Sequence, residues 1–401
     1  MLYILLALYS IVSIYELGLS LLEYNFVKKA MKEQAVVLDS AGYEKAGLTR
    51  LVKLKFSMFV EIFNLIMLFI WSCFGLAFLS ELINTLSQNA RLNGVILVLS
   101  FLLISTILSL PFAIYESFVL DKKLGFSNLT PKLFISDTLK ELALLCVFAG
   151  LGVWAFSLCY DYLGRFWWVY AYVIAFCVVL LINLIYPTLI APIFNKMTPL
   201  NDESLGVAIS SLLDKCGFKS SGVFVMDASK RDNRLNAYFG GLGSTKRVVL
   251  FDTLIEKLSQ AEILAVLSHE LGHFKHKDMI KNIIMMAVVM FIFFIIAGSL
   301  NASVYGAIGL DESAYSLIIF CMLYGAILNA VFTPVMSAFS RSHEFGADEF
   351  ATKLTNKNDM ILALKKLASQ NKAFPLSHKI YSFIYDSHPT LAQRISQLEN
   401  S

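Results

Sequence analysis

The sequence predicts a polytopic α-helical membrane protein that carries a small hydrophilic α+β layer. Three observations predict this class. Hydrophobic residues fill 57% of the 401 positions and charged residues only 16%, where soluble domains carry about 25% charged residues. Mean hydropathy is +0.67. Apolar runs of the length that crosses a bilayer as a helix, about 20 residues, recur at 2–24, 56–80, 93–119, 141–160, 166–190, 280–300 and 315–338. The net charge of +3 is too small to point to a nucleic-acid partner.

The first run, within "MLYILLALYSIVSIY", lacks a basic leader and a small-residue cleavage site, so it reads as a retained span. The second and third runs are bounded by charge. Lys28, Lys29, Lys32, Lys45, Arg50, Lys53 and Lys55 precede the second, and Lys122, Lys123, Lys132 and Lys140 follow the third. The alternate loops hold only Arg91, only Arg165, or, at 301–314, Asp311 and Glu312 without a cation. A short polar break at Asp161 to Arg165 separates the fourth and fifth runs. Positive charge marks cytoplasmic loops, so the N-terminus is expected outside. Residues 191–279 and 339–401 are then expected together on the cytoplasmic side. Four parts follow: five spans with their loops at 1–190, a hydrophilic segment at 191–279, a pair of spans at 280–338, and a hydrophilic end at 339–401.

Within the hydrophilic segment, "DESLGVAISSLLDKCGF" has the periodicity of an amphipathic helix, and "GVFVMD" and "KRVVLFD" read as strands with "GGLGSTK" supplying a turn. Ser259 and Glu262 form a capping box that opens another helix. Residues 343–370 and 389–398 also read as helical. The six cysteines form no CxxC pair, and most sit in apolar runs where a thiol packs as a small hydrophobe. Glu16, Glu61, Glu116 and Glu141 fall within or near spans, where an acid either faces a polar cavity or reaches the headgroups.

The helix after Ser259 runs into "LSHELGHFKHKD", which holds three of the chain's six histidines. His269, Glu270 and His273 make the HExxH pattern. Positions i and i+4 share a helix face, so both imidazoles can bind one tetrahedral Zn²⁺. Glu270 then stands beside a water whose pKa zinc lowers from about 15.7 to about 7. The alternative is a chance match on a solvated helix, and the cap and the amphipathic run "AEILAVLSHELGHF" argue against it. His276 lies three residues past a pair that is already complete.

A catalytic zinc needs a third protein ligand and one open position. After the seventh run comes "SRSHEFGADEFA". Glu344 and Asp348, at i and i+4 of a predicted helix, can supply one ligand and one carboxylate that holds a ligating histidine. His343 is a rival ligand, rotated about 100° from Glu344. An ordinary exposed acidic face is the plain alternative.

These residues resemble the type I CAAX prenyl endopeptidases, integral-membrane zinc metallopeptidases whose pattern is HExxH followed, after a membrane hairpin, by SRxxE[FY]xADxFA. Ser340, Arg341, Glu344, Phe345, Ala347, Asp348, Phe350 and Ala351 fit it. "NAYFGGLGSTKRVVLFDTL", "YPTLIAPIFNKMTPL", "LDKKLGFSNLTPKLFISD" and "HPTLAQRISQLE" are similar to further segments of the family, so the likeness covers nearly the whole chain. The shorter heat-shock membrane proteases share HExxH and the downstream glutamate but have fewer spans. The chain ends soon after its last family segment, in "ISQLENS", which suggests a bacterial inner-membrane homologue rather than one retrieved to the endoplasmic reticulum.

The resemblance implies seven spans that enclose an intramembrane chamber, with a gluzincin-type zinc site in a cytoplasmic domain. It implies one Zn²⁺ per chain on His269, His273 and Glu344, with Glu270 as general base and Asp348 behind the ligands. It directs His388 and Asn236 toward the oxyanion, although a histidine before Pro389 and a turn asparagine are the plain readings of both. Ala237, Tyr238 and Phe239 offer a strand edge to an extended substrate. Arg394 can bind a substrate carbonyl or pair with a carboxylate. The partners implied are the bilayer and a peptide or protein substrate, lipidated or otherwise hydrophobic, with a monomer as the simplest state. Two other readings are membrane-protein quality control and, in another class, a lipid transporter or scaffold with a vestigial zinc site. Glu270 argues against the second, because a structural site needs no base. Site-2-type proteases carry HExxH inside an apolar span, whereas here "FKHKD" follows the motif before the sixth span begins.

Overall fold

A computed structural model of the chain describes residues 1–241, 246–301 and 303–400. Seven helices are long and apolar enough to cross a membrane: Leu2–Ala30, Ser40–Asn84, Ala90–Lys123, Pro131–Tyr162, Gly164–Phe194, Asp278–Ser299 and Ala314–Leu354. Each contains one of the apolar runs read from the sequence, give or take a residue at the ends. Their outward faces display Ile11, Ile14, Phe59, Ile66, Phe74, Ile107, Val173 and Ile284, a surface that suits acyl chains rather than water. The fifth and sixth spans bury least, with 6% of each span's most apolar 18-residue stretch enclosed.

The seventh helix departs from expectation. In place of a span ending near 338 and a new helix from 343 to 370, one helix of 41 residues runs unbroken from Ala314 to Leu354. At 1.5 Å per residue it is about 60 Å long, roughly twice the hydrocarbon thickness. Pro334 lies inside it without ending it. The break comes at Thr355, and a separate helix covers Lys357–Gln370.

The hydrophilic segments build one layer on the spans. Its sheet has the order β1-β2-β4-β3, with β1 Met197–Pro199, β2 Val223–Met226, β3 Ala237–Gly240 and β4 Arg247–Phe251. The β2–β4 pair is parallel and the other two pairs are antiparallel. The polar run holding β1 gave no strand signal. Among the described residues β3 pairs on one side only, which leaves its other edge free. The expected turn between β3 and β4 lies largely outside the described residues.

The main core closes the layer from one face of the sheet. Leu250 and Val248 of the sheet pack with Ile209 of helix Glu203–Lys215, with Ile263, Leu267 and Leu271 of helix Gln260–Lys275, and with Ile395 and Leu398 of helix Leu391–Asn400. Each such fully buried aliphatic side chain is worth about 1.5–3 kcal/mol. Two cavities flank the HExxH motif, of about 810 Å³ against the fifth and sixth spans and about 780 Å³ against the second. Three of the four span acids have polar partners or neighbours. Glu61 accepts a hydrogen bond from Ser13, Glu116 pairs with Lys53, and Glu141 lines a further cavity beside Asp137.

Candidate active site

The motif helix begins as the capping box requires. Ser259 Oγ accepts from Glu262 N–H, and the Glu262 carboxylate accepts from Ser259 N–H at 2.6 Å. A cap of this kind is worth about 1 kcal/mol. Because Ile263, Leu267 and Leu271 face the core, His269, Glu270 and His273 are left on the side that meets the seventh helix.

The two helices touch backbone to backbone. A Cβ on Gly272 would lie 2.8 Å from Ala347 Cα, closer than any side chain tolerates. Ala347 and Ala351, both fully buried, keep that crossing thin. Glu344 and Asp348 share the same face of the seventh helix and are carried onto the histidines.

His269 Nε2 and His273 Nε2 stand 3.2 Å apart. Glu344 Oε1 lies 3.4 Å from His273 Nε2, and Glu344 Oε2 lies 3.6 Å from His269 Nε2. Ligands placed tetrahedrally at about 2.0–2.1 Å from zinc are separated by about 3.3 Å. Glu344 Oε2 is buried without a hydrogen bond among the described residues, as expected of a carboxylate that awaits a cation. The three residues therefore fit a metal ion.

Both histidines are held from behind. His269 Nδ1 is 2.8 Å from Asp348 Oδ1, and Arg394 grips Asp348 through Nε at 2.8 Å and Nη2 at 2.6 Å. His273 Nδ1 is 3.0 Å from Asp278 Oδ2, and Lys281 Nζ reaches Asp278 Oδ1 at 2.7 Å. Carboxylates on the far nitrogen fix the tautomer that turns Nε2 toward a metal. Burial drags the His273 pKa down, but hydrogen bonds to Glu344 and Asp278 outweigh it and carry it up to about 9. Burial also pushes the Glu270 carboxyl up, against the pull of His269 and His273. A raised carboxyl is a stronger base once ionised.

Residues 199–401 match the profile of peptidase family M48, and residues 23–196 match one described as CAAX prenyl protease N-terminal, five membrane helices. The chain belongs to peptidase family M48. It is 36% identical to CAAX prenyl protease 1 of Saccharomyces cerevisiae over 370 residues, 87% of this chain and 80% of that one. It is 30% identical to CAAX prenyl protease 1 homolog of Mus musculus, over 94% of this chain and 90% of that one. The crystal structure of S. mikatae Ste24p superposes with a TM-score of 0.91 at 32% identity, covering 99% and 98% of the two chains. This M48 peptidase is thus a membrane-embedded metalloendopeptidase.

The remaining residues singled out in the sequence fall around this centre. His388 Nε2 is 3.3 Å from Glu344 Oε1, and its Nδ1 is 2.9 Å from Ser387 Oγ. Asn236 lines the larger cavity together with His273 and Glu344, and its Oδ1 takes the N–H of Ala237. Tyr238 and Phe239 of edge strand β3 line the same cavity, while Ala237 is buried beneath. Arg394 is committed to Asp348, with Nη1 also 3.4 Å from Glu344 Oε2. His343 stands apart, 3.8 Å from Asp278. His276 caps the motif helix and packs on Phe350.

Asp278 was missed. It is the first acid after HExxH, and a ligating histidine needs an acceptor on its second nitrogen, so that requirement was the available signal. What hid it was the turn. Lys277 adopts φ 57° and ends the motif helix in a left-handed cap, which swings Asp278 back under His273 while it starts the sixth span.

Proposed function

We propose that this M48 peptidase hydrolyses peptide bonds in CAAX-type prenylated proteins and other hydrophobic, membrane-associated chains. One Zn²⁺ per chain would be held by His269, His273 and Glu344. All three ligands come from one chain, so a monomer carries a complete site. The observation that carries the reading is the metal-ligand trio with Glu270 beside it, opening into a cavity whose far walls are the fifth and sixth spans through Leu180, Tyr186, Ile283 and Met286. A lipid-bearing side chain is at home there.

Zinc, when bound, supplies a Lewis acid that polarises the scissile carbonyl and acidifies water. Glu270 takes the proton of the attacking water and returns it to the leaving amine. His388 and Asn236 donate to the oxyanion as it develops. The free edge of β3 aligns the substrate backbone, with Tyr238 and Phe239 against its side chains. Asp348 and Asp278 keep both imidazoles in the productive tautomer, and Arg394 holds Asp348. The lysine and arginine bias of the loops supports a cytoplasmic position for the whole catalytic layer, above a chamber formed by the spans.

The test is cleavage of a farnesylated CAAX peptide by the purified protein, beside an unmodified membrane protein, with metal analysis of wild type and Glu270→Gln. We expect the variant to lose about 10²–10⁴-fold in kcat while it keeps one zinc per chain. Zinc-loaded wild type that cleaves only the unmodified protein would replace prenyl-peptide processing with quality control. A folded wild type without zinc would overturn the ligand assignment.

A further inference from the structure

The second cavity, of about 780 Å³, differs in chemistry from the first. It starts at His388 and Arg394, which touch Glu344 at 3.3 and 3.4 Å, and runs away from the metal site toward the second span. Besides Arg394 it is lined by Arg50, Lys53, Arg234 and Lys372, against a single lining acid, Asp386. The acids that balance these cations lie behind them: Glu23 on Arg50, Glu116 and Asp121 on Lys53, and Asp121 and Asp232 on Arg234.

Lys372 is the exception. Among the described residues it has no carboxylate partner and only donates to the Leu124 carbonyl, with its ammonium 4.6 Å from the Phe126 ring centroid. It occupies the left-handed region at φ 48°, a conformation that costs a residue with a side chain and persists where the surroundings demand it. Burial, then Lys45 and Arg234, push its pKa down. A site where cations crowd together and one lacks a counterion is a site for an anion.

We propose that this cavity receives the free C-terminal carboxylate of the peptide portion on the leaving side of the scissile bond, with Lys372 as its principal contact. The inference rests on the endopeptidase reading above. It assigns a direction to the substrate: the lipid-bearing part lies in the apolar cavity beside the fifth and sixth spans, and the C-terminus lies in the basic one. An extended peptide advances about 3.3 Å per residue, so a cavity of this size spans only a few residues beyond the reacting carbonyl. A carboxylate is the one anion that every such peptide end provides. Arg50, Lys53 and Arg234 then supply the surrounding positive field, and Asn371 and Ser377 supply neutral polar contacts.

The experiment compares two prenylated peptides that differ only at the end, one with a free carboxylate and one amidated, with zinc-loaded protein in neutral phosphatidylcholine vesicles. A hydrogen bond to a charged group is worth about 1.5–3 kcal/mol, so wild type should prefer the acid by about tenfold to a hundredfold in kcat/KM. Lys372→Met should bring the acid peptide down to the rate of the amide, mostly through KM, and Lys372→Arg should restore the preference. The amide peptide reports on folding of each variant. Wild type that cleaves both peptides equally, or Lys372→Met that keeps the preference, overturns the assignment and leaves the endopeptidase reading intact. A Lys372→Met defect that is equal for both peptides and appears only when phosphatidylglycerol is added would make the cavity a lipid-headgroup site instead. Failure to cleave either peptide would remove the substrate reading, and this proposal with it.

Discussion

The two histidines of the motif are each backed by a buried aspartate, yet the two supports are built differently. The His269 side chain is 9% exposed, its Asp348 lies within the catalytic layer, and the counterion behind that acid is Arg394, itself 12% exposed. The His273 side chain is 24% exposed, its Asp278 is the first residue of the sixth span, and the counterion is Lys281, 46% exposed. One arm is sealed by a planar, bidentate guanidinium. The other ends in a flexible ammonium at the water's edge. Support that looks equivalent from the metal side therefore has a different cost of failure on each side.

Breaking the sealed arm should have the largest effect. Asp348→Asn removes the charge that Arg394 was buried to meet. Losing one partner of a buried pair costs about 3–5 kcal/mol, and losing the histidine's orienting carboxylate costs about 10–100-fold in metal affinity. Thermal melts and zinc titrations should both record a severe loss, and adding Arg394→Gln should recover melting temperature without recovering zinc. A variant that melts like wild type would show that Arg394 is less committed than its hydrogen bonds indicate.

Breaking the open arm should be milder. Asp278→Asn lowers zinc affinity by about tenfold, the weaker end of the same range, and barely moves the melt, because Lys281 can turn to solvent. Equal melting losses in Asp278→Asn and Asp348→Asn would erase the distinction between the arms.

The smallest effect sharpens the comparison through pH. In the metal-free protein His273 holds a proton up to about 9, and that proton must leave when a metal arrives. Apparent zinc affinity should rise about tenfold per pH unit until about pH 9 and then level off. Asp278→Asn removes one of the bonds that raise this pKa, so the bend should move to lower pH. A bend that stays in place would assign the elevation to Glu344 and Glu270.

Much of this could be read from the residues because each element had one strong local signal. The spans announce themselves through apolar length, the motif helix through Ser259 and Glu262, and the metal pair through i, i+4 spacing. Glu344 and Asp348 were legible as a pair on one face, although their roles came from the family resemblance. What stayed hidden depends on contacts between distant segments. The continuity of the seventh helix past 338 was masked by the drop in hydropathy at Ser340, a change of solvent rather than of backbone. Asp278 was masked by the left-handed turn at Lys277. The commitment of Arg394 to Asp348 joins positions 46 apart in the chain, and the basic cavity is assembled from the second span, Arg234 and the segment after Gln370. Composition averages over such a cavity and leaves only a net charge of +3.

The order of the proposed ligands along the chain has a consequence for biogenesis. His269 and His273 precede the sixth span, and Glu344 lies in the last turns of the seventh helix. During synthesis the histidine pair emerges first, and the third ligand joins it only after two further crossings have returned the chain to the same face. A hairpin that inserted one leg alone would leave Glu344 on the opposite side of the bilayer, out of reach of any repacking. With the proposed ligand set, metal capture would act as a checkpoint on membrane topology, and the nascent chain would stay proteolytically silent until its last hairpin is in place.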